Sequence, residues 1–195
     1  MLSVVVLISG TGSNLLALLK KAESPLYPAR IVAVGSDVSA EGLAHADMYG
    51  IPTFVVSRSG FSNQDTWAEI LAQSIDHFNP DLIVLAGFMK ILPASFISKY
   101  KSRIINIHPS LLPLFPGAHG VRDALLAGVT KTGATIHVVD EGVDTGPIIA
   151  QREVIVLPED TELLLHSRIK DQEQQLLIET IKQIAEGSLD LSALK

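Results

Sequence analysis

A chain of 195 residues, 47% hydrophobic and 18% charged, is long enough to bury about 70% of its unfolded surface without staples. A formal net charge of −6 with no basic run excludes a duplex-binding surface, and the absence of cysteine excludes disulfides, thiolate metal sites and a cysteine nucleophile. No apolar run reaches the roughly 20 residues a membrane span needs.

Met1–Ile8 starts uncharged and meets Ser9-Gly10-Thr11-Gly12 at once, so it reads as a buried strand rather than a signal peptide. Val4–Ile8 is that strand, and Asn14–Lys21 follows with helical spacing of Leu15, Leu16, Leu18 and Leu19. Ile31–Val34 is a second strand, Glu41–Tyr49 a helix, and Thr53–Val56 a third strand. Asp65–Phe78 is amphipathic, with Trp67, Ile70, Leu71, Ile75 and Phe78 expected on one side. Leu82–Leu85, a helix over Pro93–Tyr100 and Ile104–Ile107 continue the alternation, which implies a parallel sheet covered on both faces.

After His108 the pattern changes. Pro109, Pro113, Pro116 and Gly117 form an irregular loop before a short helix over Val121–Ala127. Ala134–Val139 and Ile148–Val156 are strands joined only by Asp140–Pro147, a connection that suits antiparallel neighbours. A long helix over roughly Thr161–Ala185 follows, capped by Asp160 or Thr161. The expected fold class is α/β: a mostly parallel, Rossmann-like sheet with helices on both faces and an antiparallel C-terminal extension. The only boundary suggested lies near residue 100.

Ser9-Gly10-Thr11-Gly12-Ser13-Asn14-Leu15 joins the first strand to the first helix. Unpaired N–H groups and the helix dipole make such a point an anion seat, and glycine lets the backbone approach a phosphate. It is neither a Walker loop nor a full dinucleotide fingerprint, because Leu15 stands at the third glycine. Two other readings stay open: a plain turn capped by Ser13 or Asn14, and a dinucleotide loop whose ribose is taken by Asp37.

Asn106 and His108, two apart on a strand, project to one face at the carboxyl end of the sheet, and Pro109 ends the pairing. An amide and an imidazole side by side can donate to one oxygen and exchange one proton. A metal role for His108 is poorly supported, since the six histidines show no His-x-x-x-His spacing. Asp140-Glu141-Gly142-Val143-Asp144-Thr145-Gly146-Pro147 is a surface turn; most of its acids are expected to be solvated or to close Asx turns, and one can pack against His108.

The segments Ser9–Leu15, Leu85–Leu92 (LAGFMKIL), Asn106–Pro113 (NIHPSLLP), Phe115-Pro116-Gly117 and Thr132–Ile149 together resemble the folate-dependent glycinamide ribonucleotide formyltransferase family of purine synthesis. The resemblance implies a formyltransferase fold in one domain, with a phosphate-binding half over 1–100 and a folate and catalytic half over 101–195. It implies that Thr11, Gly12, Ser13, Asn14 and Leu15 hold a phosphoribosyl substrate, with Glu173 on the ribose hydroxyls. Read alone, Glu173 is an ordinary helix-surface acid. Met89, Lys90, Ile91 and Leu92 would line the pocket for 10-formyltetrahydrofolate; from periodicity alone they begin a helix. By the same resemblance His108 is the general acid, Asn106 a donor to the transferred oxygen within the folate pocket, and Asp144 the carboxylate partner of His108. Gln64 stands where relatives often carry a folate-touching arginine, with Arg58 nearby, and Leu114 replaces a common basic residue.

Those implications make the chain a cytoplasmic transferase of small molecules, with no metal, nucleic acid or membrane partner. The nearest rival is a hydrolase releasing formate from the same folate. An initiator-tRNA formyltransferase would be expected to add a basic surface and a further domain. A nicotinamide dehydrogenase would use the glycine loop and Asp37, and a non-catalytic binding protein would leave Asn106, His108 and Asp144 without a purpose.

Overall fold

Strand β1 (Leu2–Ile8) shows how the sheet divides the interior. Its period of two sends Val4, Val6 and Ile8 into one hydrophobic cluster and Val5 and Leu7 into another, all of them fully buried. The computed structural model describes residues 1–194. β2 (Ala29–Ser36), β3 (Thr53–Val55), β4 (Leu82–Leu85), β5 (Ile104–His108), β6 (Lys131–Val138) and β7 (Ile148–Ile155) complete one sheet in the order β3-β2-β1-β4-β5-β6-β7. Pairing is parallel from β3 to β5 and antiparallel from β5 to β7, as the change of pattern after His108 led one to expect. The sheet runs without a break through residue 100, because β4 and β5 lie side by side.

Helices α1 (Ser13–Ala22), α2 (Leu43–Met48), α5 (Gly120–Leu126) and α6 (Glu162–Ala185) contribute to the first cluster; α3 (Gln64–Asp76) and α4 (Ala94–Lys99) contribute to the second. In α3 the buried set is Trp67, Ala68, Leu71, Ala72 and Ile75, and Ile70 is exposed, contrary to expectation. Two alanines turn the packed face away from Ile70, since 3.6 residues per turn places it more than a quarter-turn from the centre of that set. Residues 89–92 also depart from their reading: they are loop, and α4 starts only after Pro93, an extended residue at the cap. At α6 the cap is Thr161, whose hydroxyl accepts from the Leu164 amide, while Asp160 is taken by Arg168.

Candidate active site

The strand order reverses direction between β1 and β4, and an α/β sheet opens a crevice outside its carboxyl ends at such a point. Here a cavity of about 590 Å³ gathers the loop after β1, the loop after β4, the end of β5, the Asp140–Asp144 turn and one face of α6.

One end of the cavity is the glycine loop. Gly12 is the N-cap of α1 at φ +70°, and a Cβ there would lie 2.8 Å from the Gly42 backbone, so only glycine fits. No side chain caps this helix; Ser13 and Asn14 sit inside it, which removes the plain capped turn as an explanation. The first-turn amides are therefore left to whatever occupies the cavity. Thr11, Gly12, Ser13 and Asn14 line it. Leu15 does not: its side chain is fully buried in the core, and only its amide belongs to that first turn.

Glu173 also differs from its reading as a surface acid. It is buried, on the stripe Leu165, Ile169, Glu173, Leu176 that packs α6 inward. Asn14 Nδ2 donates to its carboxylate at 3.3 Å. Burial pushes the Glu173 carboxyl up to about 7, against the opposing pull of that bond and of the Lys170 charge. Asn14 Oδ1, also buried, has no partner among the described residues. Asn14 and Glu173 both line the cavity, where such acceptors suit a hydroxyl donor on a ligand.

The other end is built on β5. Asn106 Nδ2 donates to Asp144 Oδ1 at 3.2 Å, and His108 Nδ1 stands 3.3 Å from Asp144 Oδ2. The acids of the turn sort themselves: Asp140 closes a local turn with the Gly142 amide and the Thr145 hydroxyl, and Asp144, at φ +55°, points inward. The Gly117 amide donates to Asp144 at 2.8 Å. For Asp144, burial acts to raise the carboxyl, and the His137 hydrogen bond, the Gly117 amide and the two imidazole charges together overcome it, holding the group at about 2. His108 Nε2 lies 2.8 Å from the Phe115 carbonyl, so both ring nitrogens face oxygens.

His137 was not anticipated. It faces Asn106 across the β5–β6 ladder, with Nε2 3.1 Å from Asn106 Nδ2 and 3.4 Å from Asp144 Oδ1, and Nδ1 2.9 Å from the Val138 carbonyl. Only the antiparallel register brings it there. His119, His166 and Lys170 line the cavity too, without having been singled out, as do Asp140 and Val143 of the turn. Glu162, His166, Lys170 and Glu173 recur at helical spacing, which is the one cue the sequence carried for them.

Between the two ends runs the loop after β4, where Met89, Lys90, Ile91 and Leu92 line the cavity. Gln64 does not line it; its amide donates to the Ile91 carbonyl at 2.8 Å. Arg58 is likewise elsewhere, donating to the Phe61 carbonyl. Asp37, the ribose acceptor of a dinucleotide reading, is buried and engaged by Ser9 and Lys90. Among the described residues no cluster of three or more metal-binding side chains was found.

The sequence matches the formyl transferase family over residues 2–181. It is 48% identical over 181 residues to a phosphoribosylglycinamide formyltransferase of Mycobacterium tuberculosis, covering 93% of this chain and 84% of that protein. It is 39% identical over 192 residues to the trifunctional purine biosynthetic protein adenosine-3 of Drosophila melanogaster, covering 97% of this chain and 14% of that protein. Its fold is similar to the crystal structure of glycinamide ribonucleotide transformylase 1 from Symbiobacterium toebii, with a TM-score of 0.93 and 39% identity over 96% of this chain and 89% of that one.

Proposed function

The chain belongs to the formyl transferase family, among its phosphoribosylglycinamide formyltransferases, and from that premise we propose how its residues serve the transfer of a formyl group in purine synthesis. The donor is 10-formyltetrahydrofolate, and the acceptor is the amine of 5′-phosphoribosylglycinamide. The observation that carries this reading is one cavity with two chemistries, uncapped helix amides at one end and an amide, an imidazole and a carboxylate at the other.

Thr11, Gly12, Ser13 and Asn14, with the Leu15 amide, hold the phosphate; Asn14 Oδ1 and Glu173 accept from the ribose hydroxyls. The loop 89–92 forms the folate wall, where buried Leu92 and the exposed Met89 and Ile91 offer apolar surface and backbone groups to a flat heterocycle. Gln64 acts there only through the Ile91 carbonyl. Both halves of the single domain contribute to both substrates, since Glu173 comes from the second half and Met89–Leu92 from the first.

In the reaction the amine nitrogen bonds to the formyl carbon, the bond from that carbon to the folate nitrogen breaks, and one proton passes from the incoming to the departing nitrogen. Negative charge develops on the formyl oxygen, and fixed donors aimed at it are worth about 10²–10³ in rate each. Asn106 Nδ2 already donates to Asp144 and stands beside His137 Nε2, so it must turn one of its hydrogens to the oxygen. His108 must likewise turn its Nε2 proton from the Phe115 carbonyl. Asp144, ionised at neutral pH, stabilises the imidazolium and can receive the amine proton through an ordered water. No helix among the described residues is long and apolar enough to cross a membrane; we place the enzyme in the cytoplasm, acting on small molecules.

The test is a coupled assay of tetrahydrofolate release from 10-formyltetrahydrofolate. Release that requires the glycinamide ribonucleotide supports transfer. Release in its absence identifies the hydrolase instead.

A further inference from the structure

We infer that Asp37 is a positioning residue for the folate wall, which it holds through Ser9 and Lys90; the inference rests on the folate reading of loop 87–92. Asp37 lies just past the end of β2, behind the cavity, and its side chain is only 2% exposed. A carboxylate that deep must be paired, and two groups engage it: the Ser9 hydroxyl donates to Oδ1 at 2.5 Å, and Lys90 Nζ stands 3.5 Å from Oδ2.

Both partners belong to the cavity wall. The Ser9 N–H donates to the Gly87 carbonyl at 3.0 Å, and its hydroxyl oxygen accepts from the Met89 N–H at 2.8 Å. A hydroxyl has one proton; since Met89 can only donate, that proton goes to Asp37, and the orientation of Ser9 follows. Asp37, Ser9, Met89 and Lys90 thus close a ring that pins the first turn of the loop to the end of β1.

Apart from Gln64 on the Ile91 carbonyl, the loop has little else to shape it. Met89 and Ile91 are 67% and 64% exposed, Gly87 stands at φ +81°, and no helix or strand forms before Pro93. Its apolar anchors are Phe88 and Leu92. Without Asp37, Ser9 has no acceptor for its proton and Lys90 no counter-charge, so the backbone groups of Met89 and Lys90 lose their fixed aim, while Gln64 still holds the Ile91 carbonyl.

The experiment compares Asp37→Asn and Asp37→Ala with the wild type by calorimetric binding of each substrate separately, alongside steady-state kinetics and thermal melting. Asparagine keeps an acceptor for Ser9 and loses the charge facing Lys90; alanine loses both. We expect the Kd for 10-formyltetrahydrofolate to rise about fivefold in the first and more than about tenfold in the second. The Kd for the ribonucleotide should stay within about twofold, and kcat at saturating folate should fall less than KM rises. A merely structural residue would weaken both ligands together and scale kcat with the folded fraction. Equal weakening, or an asparagine variant that binds folate like the wild type, overturns the inference. If the alanine variant does not fold, Asp37→Asn decides, combined with Lys90→Met: the pair acts as proposed when the double variant is no worse than the poorer single one, and fully additive losses refute it. Wild-type protein that fails to bind the folate at all removes the reading beneath, and the inference with it.

Discussion

Asp144 and Glu173 line the same cavity, one on the turn between β6 and β7 and the other on α6. Burial acts on both in the same direction, raising the carboxyl, yet Asp144 is held at about 2 and Glu173 is pushed up to about 7. Glu173 lies deeper, and it has less company. Around Asp144 stand the His137 and His108 rings and the Gly117 and Asn106 donors. Around Glu173 stand one amide donor at 3.3 Å and the charge of Lys170. Depth raises a carboxyl, and the count and charge of the donors around it decide whether that push is overcome. One end of the cavity therefore keeps a permanent negative charge beside an imidazole, and the other keeps an acceptor close to its own titration point.

Breaking the anionic end should give the largest effect. His108→Ala removes the proposed acid and one donor to the developing oxyanion, and kcat is expected to fall about 10²–10⁴-fold with the melting curve little changed. Asp144→Asn keeps the shape but only one of the two acceptor oxygens, sets an NH2 group against a donor, and leaves His108 and His137 facing a neutral amide. Its kcat should fall about 10²-fold or more. Both are read as tetrahydrofolate release, and near-wild-type turnover in the pair would remove the assignment.

That contrast was only half legible beforehand. β-branched runs ending in glycine or proline announced the strands, and a period of two placed Asn106 and His108 on one face, because both facts are local. Which acid of the turn would reach His108 was not local. Asp140 is spent on its own turn and Asp144, at φ +55°, points at the imidazoles, and the family resemblance, not spacing, chose between them. His137 depended on the β5–β6 register, set by two strands and the turn joining them. Helical phase decides which way a residue of a loop or stripe faces: it sends the Leu15 side chain into the core, leaving its amide to the first turn, and it buries Glu173, which read alone was a surface acid. Asp37 looked like a ligand acceptor because its position after β2 was right; its partners Ser9 and Lys90 come from the ends of two other strands.

A smaller effect separates the two ends by ligand. Ser13→Ala with Asn14→Ala removes the side-chain donors of the phosphate end and the bond to Glu173. The Kd for the phosphoribosyl substrate should rise about 10- to 100-fold, with the folate Kd within about twofold. Titrating each substrate separately checks it; equal weakening would refute the division of the cavity.

The mildest change sharpens the comparison most. Because the folded-state value of Glu173 lies above its ordinary 4.5, the folded protein holds an extra proton between that pH and about 7. The stabilisation it brings is complete below about 4.5 and is lost as the pH rises through about 7, at a cost on the order of 3 kcal/mol. Glu173→Gln cannot ionise, keeps an acceptor for Asn14 Nδ2 and adds a donor beside the orphaned Asn14 Oδ1. Its stability should therefore change by less than about 1 kcal/mol over the same range from this site, and at pH 8 it should exceed the wild type while binding the ribonucleotide less well. Urea unfolding of both proteins at pH 5 and pH 8 measures the difference. Parallel curves would mean that Glu173 is already ionised at pH 5, an anion like Asp144, and the two ends of the cavity would then differ in position but not in charge.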